Sequence, residues 1–93
     1  FVNMPNGFKI ADHSVKNMPM KKHPVQHYVL SDGLAAVSVY IEKSTTEEQA
    51  LEGQSNMGSI NAYGRQVSEY QVTVMGEVPG TTVKQIAEAV TIQ

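Results

Sequence analysis

The chain contains no cysteine. That excludes a disulfide scaffold and any chemistry that needs a thiolate, and it leaves the compartment open. No apolar run approaches the ~20 residues that cross a bilayer as a helix. No signal peptide opens the chain, and it begins Phe1-Val-Asn without an initiator methionine, so a processed or excised piece of something longer is expected. Excess positive charge is missing as well. Seven Lys and Arg stand against nine Asp and Glu, for a net charge of −2, which excludes a strongly basic nucleic-acid binder. There is no Gly-x-Ser-x-Gly nucleophile elbow. Gly76-Glu-Val-Pro-Gly80 lacks the spacing and the lysine of a phosphate-binding loop and reads as a strand-to-helix turn.

What is present fits one small domain. Its 93 residues bury only about 60–65% of the unfolded surface, enough for one modest core. Charge is unevenly spread. Residues 1–27 hold Lys9, Lys16, Lys21 and Lys22 against Asp12 alone, whereas the remainder holds Lys43, Arg65 and Lys84 against eight acids. A positive N-terminal third and a negative remainder can orient an anionic partner.

The run from Tyr28 to Ile41 carries the strongest structural signal. Asp32-Gly33 accepts positive φ at low cost, as a type I′ hairpin turn requires, so strand, two-residue turn, strand is expected. The second arm alternates: Val37, Val39 and Ile41 on one face, Ser38, Tyr40 and Glu42 on the other. An earlier strand is expected over Phe8–His13, a loop over 14–25, and arms over Val25–Ser31 and Leu34–Lys43. Ser44–Gly53 reads as a helical turn or a polar loop. Met57–Arg65 reads as a strand in which Gly58 and Gly64 mark bulges or close backbone approach. From Gln66 to Glu77 alternation returns, with Tyr70, Val72 and Val74 sharing a face. Pro79-Gly80 then opens a helix, capped by Thr81 or Thr82, whose Val83, Ile86, Ala87 and Val90 form an apolar stripe. The expected fold is α+β: about five mostly antiparallel strands with the C-terminal helix packed on one face, all within a single domain over 1–93.

Candidate chemistry is thin. His23 and His27 have i, i+4 spacing, but Pro24 keeps that stretch extended, where the two lie ~13 Å apart and cannot share an ion. Ser31, Asp32 and His27 resemble a nucleophile set only in type, since turn chemistry accounts for Ser31 and Asp32. No catalytic residue, metal ligand or cofactor is expected. Tyr40 lies on the less buried sheet face, and Tyr63 sits between glycines, where a neighbouring chain could approach. Tyrosines so placed suit protein interfaces.

Three blocks carry a resemblance: His27-Tyr-Val-Leu-Ser-Asp-Gly-Leu-Ala-Ala-Val-Ser-Val-Tyr-Ile-Glu42, Gly58-Ser-Ile-Asn-Ala-Tyr-Gly-Arg65 and Gln71-Val-Thr-Val-Met-Gly-Glu-Val-Pro79. In that order, with Met4-Pro-Asn-Gly-Phe8 before them, they resemble the C-terminal domain of the MucB/RseB family of periplasmic sigma-factor regulators. The resemblance spans nearly the whole chain; the loops at 14–24 and 44–57 match only loosely. It implies a periplasmic protein whose larger, LolA-like N-terminal domain is absent from this chain. It also implies a non-catalytic regulatory role. The domain would help to bind the periplasmic region of a transmembrane anti-sigma factor and shield it from proteolysis, keeping the envelope-stress sigma factor inactive. Lipopolysaccharide or lipoprotein would act on the full-length protein. On this reading Tyr40 and Tyr63 are the expected contact anchors, and Lys16, Lys21 and Lys22 attract an anionic partner. The alternative is a lipid, lipoprotein or lipopolysaccharide ligand-binding module, which would need an apolar cavity.

Overall fold

The computed structural model describes residues 7–17, 24–43 and 53–90. Six strands and one helix follow in order: β1 (Lys9–Lys16), β2 (Val25–Ser31), β3 (Ala36–Lys43), β4 (Gly53–Met57), β5 (Ile60–Val67), β6 (Tyr70–Gly76) and α1 (Gly80–Ala89). Every pairing is antiparallel, and the sheet order is β1-β2-β3-β6-β5-β4. Two three-stranded meanders are therefore joined through β3 and β6, which places β1 and β4 at the edges.

Alternation decides which face is buried. Val37, Val39 and Ile41 on β3 stand opposite Gly76, Val74 and Val72 on β6 and share one face with Leu30 of β2. These residues, with Val78, Val83, Ile86, Ala87 and Val90, form a continuous core. The intervening Ser38, Tyr40 and Glu42 are only half-buried, as the sequence parity predicts. From α1 the apolar stripe contributes Val83 and Ile86, both fully buried. Burying side chains of this size stabilises by roughly 1.5–3 kcal/mol each, against a conformational cost of similar scale. The helix packs on β5 and β6.

Strand β5 holds the helix at both ends. Asn61 donates its side-chain amide to the Val78 carbonyl at 2.8 Å, fixing the link into α1. Two pleats further, Arg65 donates to the Ala87 carbonyl at 3.2 Å. That bond satisfies one of the last helical carbonyls and places a cation at the negative end of the helix. Tyr63 lies between these two on the same face and packs against the core.

Several local expectations shift. β1 runs three residues beyond His13, because Ser14, Val15 and Lys16 pair with His27, Gln26 and Val25. β3 begins at Ala36, since Leu34 sits at the exposed tip of the turn. That turn centres one residue later than expected. Asp32 donates its N–H to the Ala35 carbonyl at 3.3 Å, which makes Gly33-Leu34 the central pair. Only Gly33 has positive φ, at 94°, the demand of a II′ turn on its first position and not the double demand of I′. The physical reason is the Asp32 carboxylate, which accepts from the Leu34 and Ala35 N–H groups at 2.9 and 2.8 Å and thereby stays before the turn. Gly58 is no strand bulge. At φ 63° it makes the turn between β4 and β5, and the short β4 is the strand that pattern reading missed. Gly64 is a strand residue, paired with Gly53 and Thr73. Neither Thr81 nor Thr82 caps α1. Pro79 takes the cap position and its carbonyl accepts from Thr82 and Val83, at 2.9 and 3.3 Å. Most of the stretch read as a helical turn or polar loop, residues 44–52, lies outside the described residues.

Two stability predictions rest on this packing. Ile86 is fully buried between helix and sheet, so Ile86→Ala should cost about 2–5 kcal/mol in urea unfolding. Ile86→Asp should abolish the cooperative transition, because an unpaired charge would sit in the core. Ser68, in the β5–β6 turn, holds φ 57°, where a Cβ costs roughly 1–2 kcal/mol. Ser68→Gly should therefore raise the urea midpoint, by up to about 1 kcal/mol of stability.

Candidate functional site

The anticipated contact residues separate by sheet face. Tyr40 lies on the face away from α1, directly opposite His27. The two rings stack with centroids 4.5 Å apart and planes 4° from parallel. Lys16, exposed at the end of β1, pairs with Val25 and so points to that same face, with only β2 between it and β3. Lys16, His27 and Tyr40 thus form one surface. Tyr63 does not join it: its ring is on the helix side, two strands beyond β3. Lys21 and Lys22 lie outside the described residues.

A second aromatic pair occupies the opposite face. His13 of β1 is paired with Tyr28 of β2, and their rings stack at 4.0 Å and 3°. Tyr28 also packs against the core edge and donates its hydroxyl to Gln26 Oε1 at 3.2 Å. Because His27 and Tyr28 are neighbours in β2, the two stacks stand back to back through the sheet. Each side chain of such a pair holds the other in place, and cross-strand aromatic pairs contribute roughly 0.2–1 kcal/mol.

Among the described residues the candidates assemble no arrangement for catalysis or metal binding, and His23 lies outside those residues. His13 and His27 project from opposite faces, so no ion can bridge them. His27 Nε2 is shielded from solvent and finds no hydrogen-bond partner among the described residues. Ser31 and Asp32 serve the turn: Ser31 Oγ accepts from the Gly33 N–H at 3.0 Å, and Asp32 accepts two further backbone N–H groups. No described helix is long and apolar enough to cross a membrane.

The His27–Tyr40 stack escaped sequence reading because of the turn. A hairpin centred on Asp32-Gly33 would pair His27 with Ser38. Centring it one residue later moves every β3 partner by two, so the faces stay the same while the contacts change. The signal that could have found it was Leu34, an apolar residue that fits a turn tip only if Asp32 remains in the strand frame.

Asp32 yields a pH prediction. The Ala35 and Leu34 N–H groups hold its carboxyl below the ordinary value of 3.8. A carboxyl lowered in the folded state adds stability that is complete above that ordinary value and is lost as pH falls through the lowered one. The melting-temperature difference between the parent chain and Asp32→Asn should hold steady above about pH 5 and shrink below about pH 4.

Comparison with known proteins places this geometry. The family model for the MucB/RseB C-terminal domain matches residues 1–91. The sigma-E factor regulatory protein RseB of Salmonella typhimurium is 27% identical over 88 residues, covering 94% of this chain and 27% of that protein. RseB of Escherichia coli K12 is 29% identical over 86 residues, covering 91% and 26% respectively. The chain therefore spans about a quarter of the length of the curated relatives it matches. Among solved structures, MucB in the Pseudomonas aeruginosa MucA/MucB complex superimposes with a TM-score of 0.74 and 30% identity, over 90% of this chain and 31% of that one. A crystal structure of MucB in complex with MucA(peri) gives 0.72 and 30%, over 90% and 32%.

Proposed function

Because the chain belongs to the family of MucB/RseB C-terminal domains, we propose that it is a non-catalytic regulatory binding domain of the bacterial periplasm. It helps to hold the periplasmic region of a transmembrane anti-sigma factor. While held, that region is shielded from regulated proteolysis and the envelope-stress sigma factor stays inactive. The observation that carries this reading is the likeness, over 90% of the chain, to MucB solved in complex with MucA. A larger N-terminal domain in the parent protein would share the task.

On this domain the proposed contact surface is the β1–β2–β3 face away from α1, with Tyr40 as anchor and Lys16 at its rim. Lys21 and Lys22 add to the positive charge that draws an anionic segment. Tyr63, spent on core packing beside Asn61 and Arg65, supports the scaffold that presents the surface. A lipid-binding role fits less well, because α1 fills the core of the apolar face with its own side chains.

Calorimetric titration of the 93-residue chain with the periplasmic region of Pseudomonas aeruginosa MucA tests the proposal. Micromolar or tighter binding is expected. Tyr40→Ala should weaken it about tenfold or more without loss of the melting transition. Charge reversal at Lys16, Lys21 and Lys22 should weaken it and flatten its dependence on salt between about 50 and 300 mM. Affinity of the unmodified chain that does not change over that range would remove the lysines from the surface.

A further inference from the structure

The sheet has two free edges among the described residues, and they differ in kind. β4 is short, polar and without charge: Gly53-Gln-Ser-Asn-Met57. β1 is longer and carries two distinct rows. On the helix side its register places Ile10 opposite Leu30, His13 opposite Tyr28 and Val15 opposite Gln26. On the other side Lys9, Asp12, Ser14 and Lys16 stand opposite Ser31, Val29, His27 and Val25. The rows are kept in phase by a bulge at Ala11, between Ile10 and Asp12. Beyond it Asp12–Lys16 pair regularly with β2.

Exposure on this strand is unusual. Ile10 and Val15 are 51% and 57% exposed although both point to the core side of the sheet. The reason is reach: α1 packs on β5 and β6, at the other end of the strand order. An edge that shows half-exposed β-branched residues and unpaired backbone groups is a template for another strand, unless charge or bulges blunt it. Here the bulge interrupts only the start of β1.

We infer that the free edge of β1, over Asp12–Lys16, receives an extended segment of the anti-sigma partner as an added strand, and that this segment alternates apolar and acidic side chains. Its backbone completes the hydrogen bonds that β1 leaves open. The apolar row covers Val15 and the His13–Tyr28 stack, extending the core side of the sheet by one strand. The acidic row falls beside Lys16, where opposite charges across a strand pair attract. Asp12 repels an acid placed beside it, so the polar row of the segment carries its acid at the Lys16 end, which sets the register. The inference rests on the binding role proposed above and adds the β1 edge to the face that carries Tyr40 and Lys16.

Amide hydrogen exchange, read by NMR on the 93-residue chain alone and saturated with the periplasmic region of Pseudomonas aeruginosa MucA, tests it. The expected result is at least tenfold slower exchange at the outward-facing amides of Asp12–Lys16, with those of β4 unchanged. Val15→Asp should weaken binding at least tenfold with its melting temperature preserved, since that side chain is already half exposed, and Met57→Asp on the other edge should not. MucA binding without protection of β1 overturns the edge inference and leaves the regulatory reading standing. Protection of β1 that grows with the concentration of the chain alone also overturns it, because a second copy would then own the edge. No binding at about 100 μM, well above the micromolar range, overturns both.

Discussion

Among the described residues one ten-residue helix covers one face of a six-stranded sheet. Strands lie ~4.8 Å apart, so six of them present a surface ~24 Å across. A helix with its side chains is ~10–12 Å wide and covers two or three strands. The chain meets this limit by concentrating its fully buried side chains in the middle of the sheet, at Leu30, Val37, Val39, Val72 and Val74, under Val83 and Ile86. β5 then fixes the helix with Asn61 at one end and Arg65 at the other. Position and orientation of α1 follow from those two polar contacts as much as from the apolar stripe, because a stripe of valine, isoleucine and alanine has no direction of its own.

The division of labour in the sheet follows from that coverage. β5 and β6 are occupied by the helix and form the scaffold. β1 is left largely exposed, and the stacked His13–Tyr28 and His27–Tyr40 pairs tie it, through the buried and half-buried β2, to β3 on opposite faces of the sheet. Such stacking stiffens an edge region that has no helix behind it. A stiff edge loses little entropy when a partner segment settles on it, in keeping with the proposed binding role.

Much of the architecture was legible because period-two and helical patterns are strong where one face is buried. The valines of β3 and β6 announced their faces, and the 83–90 stripe announced the helix and the side it buries. Positions set by polar detail were harder. Asp32 looked like a turn residue and is in fact the side chain that caps the turn, so the hairpin register moved by two. Gln54, Ser55 and Asn56 carry no apolar pattern, and β4 was invisible without its partner β5. The helix start went to a proline carbonyl, not a threonine hydroxyl, because φ at proline is already set for helix entry.

Sequence alone therefore determined the fold class, the parity of each strand, the composition of the core and the family resemblance. All of these depend on which residues are apolar and at what spacing. It also placed Tyr40 on the half-buried face, since parity survives a register shift. Only the tertiary structure decided which strands became edges, which ring stacks on which, and that Tyr63 faces the helix while Lys16 and Tyr40 share the open side. Those outcomes depend on strand order and on where the C-terminal helix lands, and neither is encoded in any local run of residues.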